Sequence, residues 1–174
     1  PCGEVPLLPY ESCNLSSINL AKLVQESALN YDKLGRLVRL GIHFLDNVID
    51  QTRFPLKQTE AITRANRKVG LGVMGFADML IEMGIPYDSD EAVRAAEKVM
   101  SFILDESRKA SMELARTRGM FPNYEKSIWK EQNLPLRNAT VTSVAPTGTI
   151  SIIASCSSGI EPLFAIAYIR EVLE

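Results

Sequence analysis

Ala139-Thr140-Val141-Thr142-Ser143-Val144, then Ala145-Pro146-Thr147-Gly148-Thr149, then Ile150-Ser151-Ile152-Ile153-Ala154 decide the fold class. The first block is β-branched and reads as a strand. The second carries Pro and Gly and reads as a turn. The third begins a short helix. Residues 155–159 are a loop of small residues, and 164–172 read as another strand. Upstream lie two long helical patterns. In 31–52, Leu34, Leu37, Val38, Ile42, Leu45, Val48 and Ile49 recur at helical spacing, with Asp32 as a start signal. In 88–117, Ser89 or Asp90 can cap a helix whose apolar stripe includes Ala92, Val99, Met100 and Ile103. Helices lying between strands imply an α/β architecture.

The remaining segments are less periodic. Pro6-Leu7-Leu8-Pro9-Tyr10 forbids a helix there. Residues 16–24 fit a short strand or a helix start equally well. Residues 53–66 are polar, contain Pro55 and read as a connection. Gly70-Leu71-Gly72-Val73-Met74-Gly75 has G-x-G-x-x-G spacing, but no β-rich run precedes it, so it is not read as a dinucleotide fingerprint. The expectation is that these glycines let a helix pack closely on its neighbour, with Phe76, Met79, Leu80 and Met83 continuing it to a stop at Gly84. Residues 120–137 read as loop, with Trp129 as a packing anchor.

Composition narrows the function. The 174 residues include 19 Lys+Arg and 21 Asp+Glu, a net charge of −2, and are 46% apolar and 23% charged. That is globular composition with no basic footprint for nucleic acid or anionic membrane. The longest uncharged stretch, 138–160, is too rich in Thr, Ser, Gly and Pro for a membrane span. No signal peptide is visible, so the expected compartment is the cytoplasm. Cys2, Cys13 and Cys156 make neither an even disulfide framework nor zinc-site spacing. His43 has no neighbouring ligand cluster, and no metal site is expected. The chain starts on Pro1 and ends on Glu174 just after Val172 and Leu173, which suggests a segment of a longer chain.

Two places carry residue types suited to chemistry. Pro146-Thr147-Gly148-Thr149-Ile150-Ser151 sets backbone N–H groups and hydroxyls around a helix start, an arrangement that suits a phosphate. It lacks the Gly-Lys-Ser/Thr ending of a P-loop, and an ordinary capped turn is the other reading. In Cys2-Gly3-Glu4, a thiol and a carboxylate can converge on one small ligand if the segment is a loop. The carboxylate would then serve as base and the sulfur as nucleophile or radical carrier.

Pro1-Cys2-Gly3-Glu4-Val5-Pro6-Leu7-Leu8-Pro9-Tyr10-Glu11-Ser12-Cys13-Asn14-Leu15 closely resembles the catalytic segment of ribonucleotide reductases, most of all the adenosylcobalamin-dependent type. Further blocks resemble the family in the same order: residues 67–80, then 137–151, then Gly159-Ile160-Glu161-Pro162-Leu163-Phe164. The resemblance implies a ten-stranded α/β barrel, incomplete at both ends here, of which residues 1–174 form a central to C-terminal part. It implies reduction of a ribonucleoside diphosphate or related ribonucleotide to the 2′-deoxyribonucleotide for DNA synthesis. Cys2 matches the thiyl-radical residue, Glu4 the base for the 3′-OH proton, and Cys13 one member of the redox pair. Pro1, Cys2, Gly3 and Glu4, with Pro146, Thr147, Gly148, Thr149 and Ile150, match substrate-binding positions.

The resemblance further implies adenosylcobalamin as radical source, the rest of the parent chain as partner, and a thioredoxin-like reductant acting through C-terminal cysteines that these residues lack. The family's Asn before the Pro1 position and the partner of Cys13 are also absent, so the 174-residue piece is expected to be inactive alone. A non-catalytic phosphate- or nucleotide-binding α/β module is the competing reading. A glycyl-radical or thiol-dependent barrel enzyme is a third, disfavoured by Cys13.

Overall fold

A computed structural model describes residues 3–165 and 167. Its centre is a strand, β4 (Val69–Met74), with every residue buried. It pairs in parallel with β1 (Asn14–Asn19), in a register running from Asn14↔Val69 to Asn19↔Met74. On its other edge β4 meets the 140–143 segment. The Val69 and Leu71 N–H groups donate to the Thr140 and Val141 carbonyls at 3.2 and 3.0 Å, and Ser143 N–H donates to Leu71 O at 3.1 Å. Only Leu71↔Thr142 forms a bridge there, also parallel. The strand expected over 139–144 is therefore an extended edge shorter than the sequence suggested. A separate hairpin pairs β2 (Val24–Gln25) with β3 (Ala28–Leu29), reached through a 3-10 turn at Ala21–Leu23.

The two long helices form as expected. Helix α1 (Tyr31–Gln51) is capped by Asn30, whose side chain accepts from Lys33 N–H, with Asp32 in its first turn. Its buried stripe, Leu34, Val38, Ile42, Leu45 and Ile49, lies against β4 and against α4 (Asp90–Arg118), which contributes Val99, Ile103 and Ala110. Ser89 caps α4 by accepting from Ala92 N–H. Burying a Leu or Ile side chain stabilises by about 1.5–3 kcal/mol, so this stripe is the main tie between helices and sheet. Trp129, on a short helix α5 (Ile128–Glu131), donates from Nε1 to Ala139 O at 2.8 Å and packs on a second cluster of Phe121, Tyr124 and Leu136.

Two expectations are corrected. The 70–75 glycines lie in β4 and at its end, not in a helix; α3 (Phe76–Met83) starts after Gly75, which has φ +70°, and stops at Gly84. A strand buried on both faces reads as a continuous apolar run, and two glycines in it hide the β signal. Their role is close approach. A Cβ on Gly72 would lie 2.4 Å from Ser143 O, and one on Gly70 would lie 2.6 and 2.7 Å from Leu15 Cδ2 and Ser143 Cβ. The 53–66 connection contains a helix, α2 (Lys57–Asn66). Pro55 precedes that helix rather than interrupting it. The open reading of 16–24 resolves as β1, the 3-10 turn and the start of β2.

The described residues show α/β structure with small sheets and no closed barrel. Of the strand expected over 164–172, only 164, 165 and 167 are described, and these are not in a strand. Among the described residues no helix is long and apolar enough to cross a membrane.

Candidate functional site

The segment leading into β1 forms one wall of the site. Pro9 and Tyr10 occupy the corners of a turn closed by Glu11 N–H to Leu8 O at 3.0 Å, and Tyr10 takes φ +63°. Pro at the first corner and a positive φ at the second are the requirements of a type II turn. Ser12 N–H then donates to Thr63 Oγ1 on α2 at 3.1 Å. Upstream, residues 3–5 run over the β4 edge: Val5 Cγ2 is 3.3 Å from where a Gly70 Cβ would sit, and Ser143 Oγ donates to Glu4 O at 3.3 Å.

The second wall is the loop after the 140–143 edge. Thr147 is buried with φ +56°, and its Oγ1 accepts from Gly159 N–H at 2.7 Å. Helix α6 (Ile150–Ile153) follows, its first ladder bond running from Ser151 N–H to Thr147 O at 2.9 Å. Gly148, Thr149 and Ile150 are exposed and precede that bond, which leaves their N–H groups ahead of the ladder. The loop is tied behind to the β4–α3 corner. Gly75 N–H donates to Ser157 O at 2.8 Å, and Ser157 N–H donates to Asp78 Oδ2 at 2.7 Å.

Of the expected site residues, Pro1 and Cys2 lie outside the described residues. Gly3 is exposed with φ +75°, and the Glu4 carbonyl is joined to the edge that runs into Pro146 by the 3.3 Å bond from Ser143. Thr147 is buried and its hydroxyl oxygen accepts from Gly159 N–H within the loop, while Pro146, Gly148, Thr149 and Ile150 are the exposed members. Cys13, half-buried and a free thiol, sits just before β1. Burial pushes its thiol up, the Glu11 and Glu4 carboxylates push it further, and Lys68 opposes them. His43 is exposed, with its Nε2 2.8 Å from Arg118 Nη2.

Sequence reasoning missed two buried carboxylates that hold these walls. Glu11 accepts from Leu8 N–H (2.8 Å), Asn66 Nδ2 (2.7 Å) and Lys68 Nζ (2.8 Å). Asp46, fully buried on α1, receives Arg67, Arg118, Arg137 and the Asn138 amide. It thereby links α1, α4 and the start of the 139–144 edge. Apart from Leu8, three residues from Glu11, each carboxylate's named partners are remote in sequence, so no local spacing announces them.

Comparison with known proteins gives a consistent result. A family model described as the ribonucleotide reductase barrel domain matches residues 1–136 and 131–174. A protein of Thermoplasma acidophilum named vitamin B12-dependent ribonucleoside-diphosphate reductase is 58% identical over 174 residues, covering 99% of this chain and 23% of that protein. One of the same name from Mycobacterium tuberculosis is 52% identical over 173 residues, covering 99% and 25%. The ribonucleoside-diphosphate reductase subunit alpha of Chlamydia pneumoniae is 32% identical over 213 residues, covering 99% and 20%. The chain thus spans about a quarter of the length of the first relatives. With the family model matched from the first residue to the last, the chain belongs to the ribonucleotide reductase barrel-domain family.

Proposed function

We propose that this chain is the central to C-terminal part of a ten-stranded ribonucleotide reductase barrel. In that reading it supplies the radical loop and the phosphate loop that reduce ribonucleoside diphosphates to 2′-deoxyribonucleotides. The observation that carries the reading is the Ser143–Glu4 hydrogen bond, which ties Glu4 to the edge that continues into Pro146. In this reading the sugar lies beside Glu4 and the phosphates at the backbone of residues 148–150. The cytoplasm is the expected compartment.

The residues divide the chemistry among them. Hydroxide leaves an unactivated sugar carbon poorly. Cys2, as a sulfur radical, takes the 3′ hydrogen atom, and Glu4 accepts the 3′-OH proton within one hydrogen bond. The 2′ oxygen then departs as water. Cys13 and a second cysteine from the rest of the parent chain supply two electrons and two protons and close to a disulfide. Cys2 finally returns its hydrogen atom to C3′, and Glu4 returns its proton to the 3′ oxygen. Raised by burial and by Glu11 and Glu4, the Cys13 thiol holds its proton until it is used. Gly148, Thr149 and Ile150 offer backbone N–H groups to the substrate phosphates. A thioredoxin-like protein re-reduces the disulfide through cysteines outside this segment.

Relatives named vitamin B12-dependent support adenosylcobalamin as the cofactor, and when bound it supplies the initiating radical. Among the described residues no three His, Cys, Asp or Glu side chains cluster as a metal site.

The test is a full-length reductase carrying this segment. Cys2→Ser should abolish reduction and Glu4→Gln should slow it by roughly 10²–10⁴-fold, both with ribonucleotide binding retained. Reduction at the parent rate in Cys2→Ser overturns the reading.

A further inference from the structure

The turn at residues 8–11 is held more firmly than a surface turn needs. Tyr10 is 63% exposed yet carries φ +63°, a left-handed conformation that costs a non-glycine residue energy. Such strain persists only where its surroundings over-determine it. Here they do. Glu11, with its carboxylate fully buried, accepts the Leu8 N–H across the turn and receives Lys68 Nζ on the same oxygen. Lys68 also donates to Pro6 O at 2.7 Å, so one ammonium spans both ends of the 6–11 stretch. Asn66 holds the other Glu11 oxygen, and Asn123 Nδ2 donates to Asn66 Oδ1 at 2.8 Å. Asn66 and Lys68 lie just before β4, the strand on whose edge residues 3–5 rest.

We propose that Glu11 and Lys68 are positioning residues. Their buried ion pair, closed over the strained 8–11 turn, sets the register at which residues 3–5 meet Ser143 and β4. The inference rests on the functional reading above and goes beyond it. Neither side chain is placed at the substrate; besides their opposed charge effects on the Cys13 thiol, both act through the 6–11 backbone. Removing Lys68 leaves a buried carboxylate without its cation, and the turn relaxes. Residues 3–5 then shift relative to the phosphate loop, and a misplacement of about 1 Å at a reacting group can cost roughly 10²-fold in rate. Arg at 68 keeps the charge and two donors for Glu11 and Pro6 O.

The experiment uses a full-length reductase carrying this segment and the variants Lys68→Met, Lys68→Arg, Glu11→Gln and Cys2→Ser. It reads kcat and KM for the ribonucleotide, together with amide hydrogen exchange over 3–12. Lys68→Met and Glu11→Gln should lower kcat at least about tenfold, with KM within threefold and faster exchange at Leu8 and Glu11. Lys68→Arg should recover kcat to within threefold of the parent. Unchanged kcat in Lys68→Met and Glu11→Gln overturns the proposal. So does a proportional loss of kcat and folded protein that arginine fails to rescue. A Cys2→Ser enzyme that still reduces ribonucleotides would instead sink the functional reading, a separate outcome visible in the same series.

Discussion

Ser143 Oγ donates to the main-chain carbonyl of Glu4 across 3.3 Å, joining positions 139 residues apart. Ser143 is buried, and its own N–H is engaged with Leu71 O. One serine therefore links the central strand, the edge that leads to the phosphate loop, and the loop proposed to carry the radical. Ser143→Ala removes that link with little change of shape. The net loss of one hydrogen bond predicts about 1 kcal/mol less stability and a lower kcat in a full-length reductase with KM little changed. Denaturant titration and steady-state kinetics on the same sample separate the two effects.

Glycine at 72 is required by space. Gly72→Ala places a methyl group 2.4 Å from the Ser143 carbonyl oxygen, where backbone and not a flexible side chain must yield. Overpacking of this kind costs about 1–3 kcal/mol or more, so the expected result is a clear drop in midpoint or failure to fold. Gly148→Ala is the contrast. Nothing lies within 4 Å of its added Cβ, so folding should be unchanged. Any rise in KM for the nucleotide then reports directly on the phosphate loop.

Asp46 is the electrostatic centre of the fold. Its fully buried carboxylate bonds Arg67 Nε and Asn138 Nδ2 through Oδ1, at 2.9 and 3.0 Å. Arg118 and Arg137 lie at Oδ2, at 3.1 and 3.4 Å. Among the described residues, Asp46→Ala leaves Arg67, itself 4% exposed, with only the half-exposed Asp50 for charge. Breaking a buried pair this way costs about 3–5 kcal/mol. Chemical denaturation should show a loss of that size, and an unchanged midpoint would refute the assignment of Asp46 as a structural hub.

These predictions also mark what could be read from the residues alone. The helices over 31–51 and 90–118 were legible because their apolar stripes repeat at 3.6 residues and caps precede them. Strand β4 was not, because a strand buried on both faces has no alternation and its glycines mimic a flexible motif. The Cys2-Gly3-Glu4 and Pro146-Thr147-Gly148-Thr149 blocks were recognisable because family-specific residue types sit contiguously. The Glu11–Lys68 and Asp46–Arg67 pairs were not. A carboxylate's partner 57 or 21 positions away is set by the packing of β4 against β1 and α1, which local spacing does not encode.

Glu106 on α4 gives an acid-stability prediction with a defined sign. Hydrogen bonding from Lys109 holds its carboxyl below the usual range, burial opposes this, and Arg39 across on α1 adds a bond at 2.9 Å and its charge. A carboxyl whose folded value is depressed binds its proton more readily when the chain is unfolded. Its contribution is therefore complete above the unfolded value of about 4.3 and is lost as pH falls through the lower folded value. Glu106→Gln removes that dependence. Against the parent, it should be less stable at neutral pH and show a smaller further loss between about pH 5 and pH 2. Thermal midpoints across that window decide it: parallel curves for parent and Glu106→Gln would show that the Arg39–Glu106–Lys109 cluster does not drive the acid limb.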